Sequence, residues 1–182
     1  AAKVAMAGDR VYVGGGLYTE AVAFYRAGTV EQPITFIADE RGKFTGDKGQ
    51  VVVVAPDEEA WSCRFLNADH TRLAGFRFSA KAQDDRQGVY VYNTSGLHFD
   101  DCLFDGLTSG LVARLSDVTL NGIDVQACKP RAVVAATGRL TAIDSRFARN
   151  HAGVHTMSDV RFARRIASST RTRIVELACK AA

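Results

Sequence analysis

The sequence predicts an all-β fold, a parallel β-helix: a single-stranded solenoid of about seven coils, with three short strands in each. Three observations predict it. From Ser95 onward the chain repeats at a period of about 21 residues. Within each period apolar residues come in pairs two apart, the spacing that puts both side chains on one face of a strand. Each period holds three such pairs, so each coil has three sides, and stacking the coils buries what one coil cannot bury alone.

In chain order, residues 1–7 read as the last turns of a capping helix, and a chain processed or truncated at one or both ends is expected. Residues 8–68 follow as irregular coils. Residues 11–13 make a strand, Gly14, Gly15 and Gly16 a turn, and residues 18–24 a second strand. Pro33 has no amide hydrogen to give a ladder and suits the entry to a strand, here residues 34–37. A polar loop over 38–50 precedes the apolar run 51–54, the length of one buried strand. Residues 61–66 and 73–78 continue the pattern. Extra residues over 81–87 project as a loop before a strand at 89–92.

Residues 69–178 are the regular coils. The first pairs, Leu97/Phe99, Val118/Leu120, Leu140/Ala142 and Val160/Phe162, recur after 21, 22 and 20 residues. The second pairs are Cys102/Phe104, Ile123/Val125, Ser145/Phe147 and a blurred Arg165/Ala167. The third are Leu111/Ala113, Val133/Ala135, Val154/Thr156 and Ile174/Glu176. The links between first and second strands (Asp100-Asp101, Asn121-Gly122, Ile143-Asp144) are very short, and small polar residues tolerate the backbone angles of such a corner. Arg165 and Glu176 fall on nominally inward positions, where an unpaired charge costs several kcal/mol. They pair, or the coil frays, or the register slips. Coils stacked ~4.8 Å apart make a rod roughly 35 Å long.

At 182 residues and 47% apolar, the chain is expected to form one domain, residues 1–182, around one core. No apolar run approaches the ~18 residues of a membrane span. Cys63, Cys102, Cys128 and Cys179 show neither CxxC nor zinc spacing; they read as small buried hydrophobes and leave the redox compartment open. The net charge of +3 conceals an asymmetry. Residues 1–130 carry 13 basic against 17 acidic residues, while 131–182 carry 10 against 3. That polarity favours an anionic ligand near the C-terminal coils or head-to-tail contact with an acidic surface, although a solvated outer face would carry the same charges. Nucleic acid is not an expected partner.

The segments Ala7-Gly8-Asp9-Arg10-Val11-Tyr12-Val13, Gly16-Leu17-Tyr18-Thr19-Glu20 and Gly28-Thr29-Val30-Glu31-Gln32-Pro33-Ile34-Thr35-Phe36 resemble the opening coils of pectate-lyase-like right-handed β-helix proteins. Within that superfamily they are most similar to the chondroitinase B and alginate lyase group. The resemblance implies a right-handed coil, binding of acidic polysaccharide along one sheet, and an extracellular, periplasmic or cell-surface location. It also implies a Lys and an Arg on later coils with calcium held by carboxylates. Lys129-Pro130-Arg131 supplies the two cations, but no Asn/Glu cluster matches the calcium site, so no cofactor is assigned and calcium stays open. Of the polygalacturonase pattern, Asn93-Thr94-Ser95 departs from Asn-Thr-Asp, Asp100-Asp101 is present, and Gly-His-Gly is missing.

The strand alternation assigns a candidate site. If Val89, Leu111, Val133, Val154 and Ile174 point inward, then Tyr90, Val112, Val134, His155 and Val175 point outward, followed by Tyr92, Arg114, Ala136, Met157 and Leu177. Tyrosines offer faces to sugar rings, Arg114 suits a carboxylate, and His155 can exchange a proton. Tyr90, Tyr92, Arg114, Lys129, Arg131 and His155 are therefore the candidate carbohydrate-binding residues. The apolar positions between them suggest coverage by a loop or another chain. His155 lies three coils from Tyr90, about 14 Å and too far for one shared proton transfer, so catalytic residues remain unassigned. Three readings follow: a module that binds acidic polysaccharide, a polysaccharide lyase acting by β-elimination, and a structural subunit that stacks through open β-helix ends.

Overall fold

The computed structural model, which describes residues 2–80, 87–156 and 160–165, is a parallel β-helix without a helix among those residues. The first coil contains β1 (Arg10–Gly14), β2 (Gly16–Tyr18) and β3 (Val22–Phe24), and the second β4 (Ile34–Asp39), β5 (Val51–Val54) and β6 (Trp61–Leu66). The third contains β7 (Thr71–Ala74), β8 (Arg77–Ser79) and β9 (Gln87–Tyr92). The fourth is β10 (Leu97–Asp100), β11 (Leu103–Asp105) and the first half of β12 (Ser109–Asn121). The second half of β12, β13 (Asp124–Gln126) and the first half of β14 (Arg131–Ile143) make the fifth. The rest of β14, β15 (Arg146–Ala148) and β16 (Ala152–Thr156) complete the sixth, and β17 (Val160–Arg165) opens a seventh.

Each strand pairs in parallel with its equivalent one coil on. A six-stranded sheet of β2, β5, β8, β11, β13 and β15 forms the second side of the coil. An 11-stranded sheet supplies the first and third sides. It bends because β12 and β14 run continuously through a corner: the first half of β12 pairs with β9, its second half with β10.

Three stacked corners make the coils superpose. In the regular coils a residue at each takes the left-handed backbone conformation that helps turn the chain. Between the third and first sides these residues are Asn67, Asn93, Leu115 and Thr137, with φ of 54°, 47°, 51° and 56°. Between the first and second sides they are Gly75, Asp101, Gly122 and Asp144, and after the second side Gly106, Ala127 and Arg149. Side chains tie the first of these corners together from coil to coil. Asn93 Nδ2 donates to Asn67 Oδ1 at 2.6 Å, Ala68 N to Thr94 Oγ1 at 3.2 Å, and Thr94 N to Ser116 Oγ at 3.2 Å.

Inside, the inward rows match the sequence pattern. Phe99, Phe104, Leu120, Val125 and Val133 are all fully buried. Phenylalanines form the spine of the core. Phe24 stacks on Phe65 at 4.3 Å between ring centroids, Phe65 meets Phe99 edge-on at 5.8 Å, and Phe78 stacks on Phe104 at 4.9 Å. Cys63, Cys102 and Cys128 are buried free thiols; burial pushes Cys102 up to about 12 and raises Cys63 and Cys128 as well, so these act as protonated apolar groups. Cys179 lies outside the described residues.

Several expectations need correction. Residues 2–4 and 7–8 form turns instead of a helix end, and Met6 N is taken by Asp9 Oδ2 at 2.8 Å. Residues 18–24 are two strands around a corner, not one, and 73–78 likewise span the corner between β7 and β8. The described chain makes six complete coils before β17. In that last strand Phe162 aligns with Leu140, Val160 with Gly138 and Arg165 with Ile143. The interval from Leu140 is thus 22 residues, repeating the step from Val118 to Leu140. Arg165 accordingly belongs to a first strand, not to the second. Glu176 and the rest of the final coil fall outside the described residues, as do residues 81–86.

The residues that carry the family resemblance have structural work in the first coils. Thr35 N donates to Asp9 O at 2.9 Å, Gly8 N to Gln32 O at 3.0 Å and Gly28 N to Asp69 O at 2.8 Å, linking neighbouring coils. Tyr18 Oη donates to Gly14 O at 2.9 Å across its corner. At Gly28 a Cβ would stand 2.7 Å from His70 O and Ile34 N, so no side chain fits. Asp39 closes β4 and organises the loop that follows, accepting the amides of Lys43, Phe44 and Thr45 and the Thr45 hydroxyl. Burial alone would raise its carboxyl; those donors outweigh it and hold it below the usual carboxylate range.

Candidate functional site

The third side of the coil, built from β3, β6, β9, the first half of β12, the first half of β14 and β16, collects the candidate residues. Register sets one outward row as Ala23, Arg64, Tyr90, Val112, Val134 and His155. A second row, at the corner, runs Leu66, Tyr92, Arg114 and Ala136. Tyr92 and Arg114 are in-register neighbours on adjacent strands, about 4.8 Å apart along the stack. Both are exposed, Tyr92 at 41%. Among the described residues the Arg114 guanidinium has no hydrogen-bonding or ionic partner, while its carbonyl is pinned by Asn93 N at 3.1 Å and Ser116 Oγ at 2.6 Å. A charge held on a fixed backbone and left unpaired is available to an incoming anion.

Lys129 and Arg131 are exposed at the opposite edge of this side, Lys129 in the turn before β14 and Arg131 at its first residue. Five residue steps along β14 separate Arg131 from the row of Arg114, about 16 Å. The structure therefore places the six candidates along one side but gathers only four of them into two groups, Tyr92 with Arg114 at the corner and Lys129 with Arg131 at the entry edge. His155, half-buried, stands three coils from Tyr90, about 14 Å away along the row. It shares no reacting centre with either tyrosine. The valines between them are buried, Val112 and Val134 each 7% exposed.

Trp61 and Arg64 belong to the same side and are missed by the sequence pattern. The Trp61 ring lies 4.8 Å from that of Tyr90, tilted by 43°. Arg64 is in register with Tyr90 and 3.9 Å from Glu59. Their 26-residue separation from the equivalent positions of β9 exceeds the regular period, which conceals the alignment. The lone tryptophan at the start of a strand was the available signal.

Asp100 and Asp101, adjacent in sequence, part company. Asp101 is a corner residue. Asp100 receives Arg72 Nε at 2.6 Å and Asn121 Nδ2 at 3.0 Å on the first side. His98 shares this side, aligned with Arg72; burial lowers its imidazole below the ordinary histidine range, with Arg72 and His70 adding to the effect and Asp100 opposing it. Among the described residues no three His, Cys, Asp or Glu side chains group closely enough to hold a metal ion, and no helix is long and apolar enough to cross a membrane. Asn93 is committed to Asn67, and Thr94 is fully buried. No protein-family model matches the chain, and no curated protein matches it.

Proposed function

We propose that the chain is a β-helix module that binds acidic polysaccharide along the third side of its coil, outside the cytoplasm. The observation that carries this reading is the exposed, in-register pair Tyr92 and Arg114 at the corner of that side, Arg114 being unpaired among the described residues. The Trp61–Tyr90 ring pair and the cations Lys129 and Arg131 extend the same surface. A uronate presents an apolar ring face together with a carboxylate, and an aromatic ring beside a guanidinium complements both. The resemblance of the first coils to polysaccharide-acting β-helix proteins supports the same ligand class and location. Binding accounts for these residues better than turnover, because Tyr90 and His155 stand three coils apart.

The test is affinity electrophoresis and calorimetry with sodium polygalacturonate, alginate and chondroitin sulfate, with a neutral glucan as control. Wild-type protein is expected to bind at least one polyuronate and not the glucan, with affinity falling as salt screens the charges. Tyr92→Ala and Arg114→Ala are each expected to weaken binding about tenfold, the loss of one good contact. Unchanged binding in both variants would move the site elsewhere.

A further inference from the structure

Leu115 departs from the corner to which it belongs. The equivalent positions in the two preceding coils are Asn67 and Asn93, residue types that tolerate a left-handed backbone and here bond to one another through their side chains. Leu115 takes the same conformation, φ 51°, without either advantage. Its side chain is 52% exposed and lies outside the central core, so burial does not explain it. The conformation is nevertheless enforced: Leu115 N donates to Thr137 Oγ1 at 3.2 Å, and the carbonyl of Arg114 is held from both sides. The consequence is an apolar side chain projected at the corner, next in sequence to Arg114, which is unpaired among the described residues, and one coil beyond Tyr92. Strain retained at an exposed position points to a use for the side chain.

We propose that Leu115 is a ligand-contacting residue, the apolar wall of a subsite it forms with Tyr92 and Arg114 for one acidic sugar unit. This rests on the reading of the third side as a polyuronate-binding surface. The ring of the sugar packs between Tyr92 and Leu115 while its carboxylate meets Arg114. A leucine held for contact rather than for folding has a distinctive signature, because the residue best suited to the backbone is then the wrong one for the ligand.

The experiment compares Leu115→Asn and Leu115→Met with wild-type protein by thermal melting and by calorimetric titration with sodium polygalacturonate, alginate and chondroitin sulfate. Leu115→Asn is expected to raise the melting temperature by about 2–5 °C, through relief of strain and extension of the amide ladder, and to weaken polyuronate binding about three- to tenfold. Leu115→Met keeps an apolar side chain and is expected to bind within about twofold of wild type. Wild-type binding with undiminished affinity in Leu115→Asn would overturn the subsite and leave the polyuronate surface standing. Lower stability in Leu115→Asn would overturn the strain argument. If wild-type protein binds none of the three polymers, both the surface and the subsite fall.

Discussion

At the scale of single residues, the core and the outer face respond to different forces. Phe99 is fully buried and meets Phe65, Phe78 and Phe104, so it joins inward rows from two sides of the coil. Phe99→Ala removes those contacts and leaves a cavity that a stack of rigid coils cannot close. The expected loss is about 3–5 kcal/mol, measurable by urea denaturation. His98 illustrates the outer face. Its folded-state imidazole is held below the value it has in the unfolded chain, mainly by burial and then by Arg72. The unfolded state therefore binds the proton more readily, and the contribution of His98 to stability is complete above about pH 6.5 and declines as pH falls through the depressed folded value. Melting temperatures recorded between pH 7.5 and 5 should drop less for His98→Gln than for wild type; parallel curves would remove His98 from the acid response.

At the scale of the element, the coil is a set of close contacts between equivalent positions. The row Ser62, Gly88, Gly110 and Ala132 is made of small residues, all buried. A Cβ on Gly88 would collide with the carbonyl oxygen of Gly110, and one on Gly110 would stand 2.8 Å from Ala132 O. Gly88→Ala should therefore force neighbouring coils apart and cost about 1–3 kcal/mol in a denaturation experiment. An unchanged midpoint would show that the row can relax. The inward rows through Leu97/Phe99, Phe104 and Leu111 are legible in the sequence because i, i+2 apolar spacing and a near-constant period report strand faces directly. The corners at Asp101, Gly122 and Asp144 are legible too, because small polar residues and glycine announce the left-handed conformation. Leu115, Thr137 and Arg149 adopt it without such a signal, since the stacked coils around them impose it. The splits within 18–24 and 73–78 are hidden because apolar residues continue on both sides of their corners.

At the scale of the molecule, periodicity specifies which residues share a side but not how far apart they stand on it. Tyr90, Tyr92, Arg114 and His155 could be assigned to one surface from sequence alone. Their division from Lys129 and Arg131 appears only once strand width is known. Trp61 and Arg64 join the surface across an interval longer than the repeat. The resulting face carries aromatic rings and cations, with Tyr92 and Arg114 at its corner as the proposed contact point for an acidic sugar. Its most direct test is NMR titration of isotopically labelled protein with polygalacturonate oligomers, following backbone amides, the Trp61 indole and the arginine side chains. Saturable shifts concentrated at Trp61, Tyr90, Tyr92, Arg114 and Leu115, with the second-side residues Arg77, Leu103 and Asp124 unmoved, are the predicted result. Shifts centred on the second side, or none anywhere at millimolar oligomer, would contradict it.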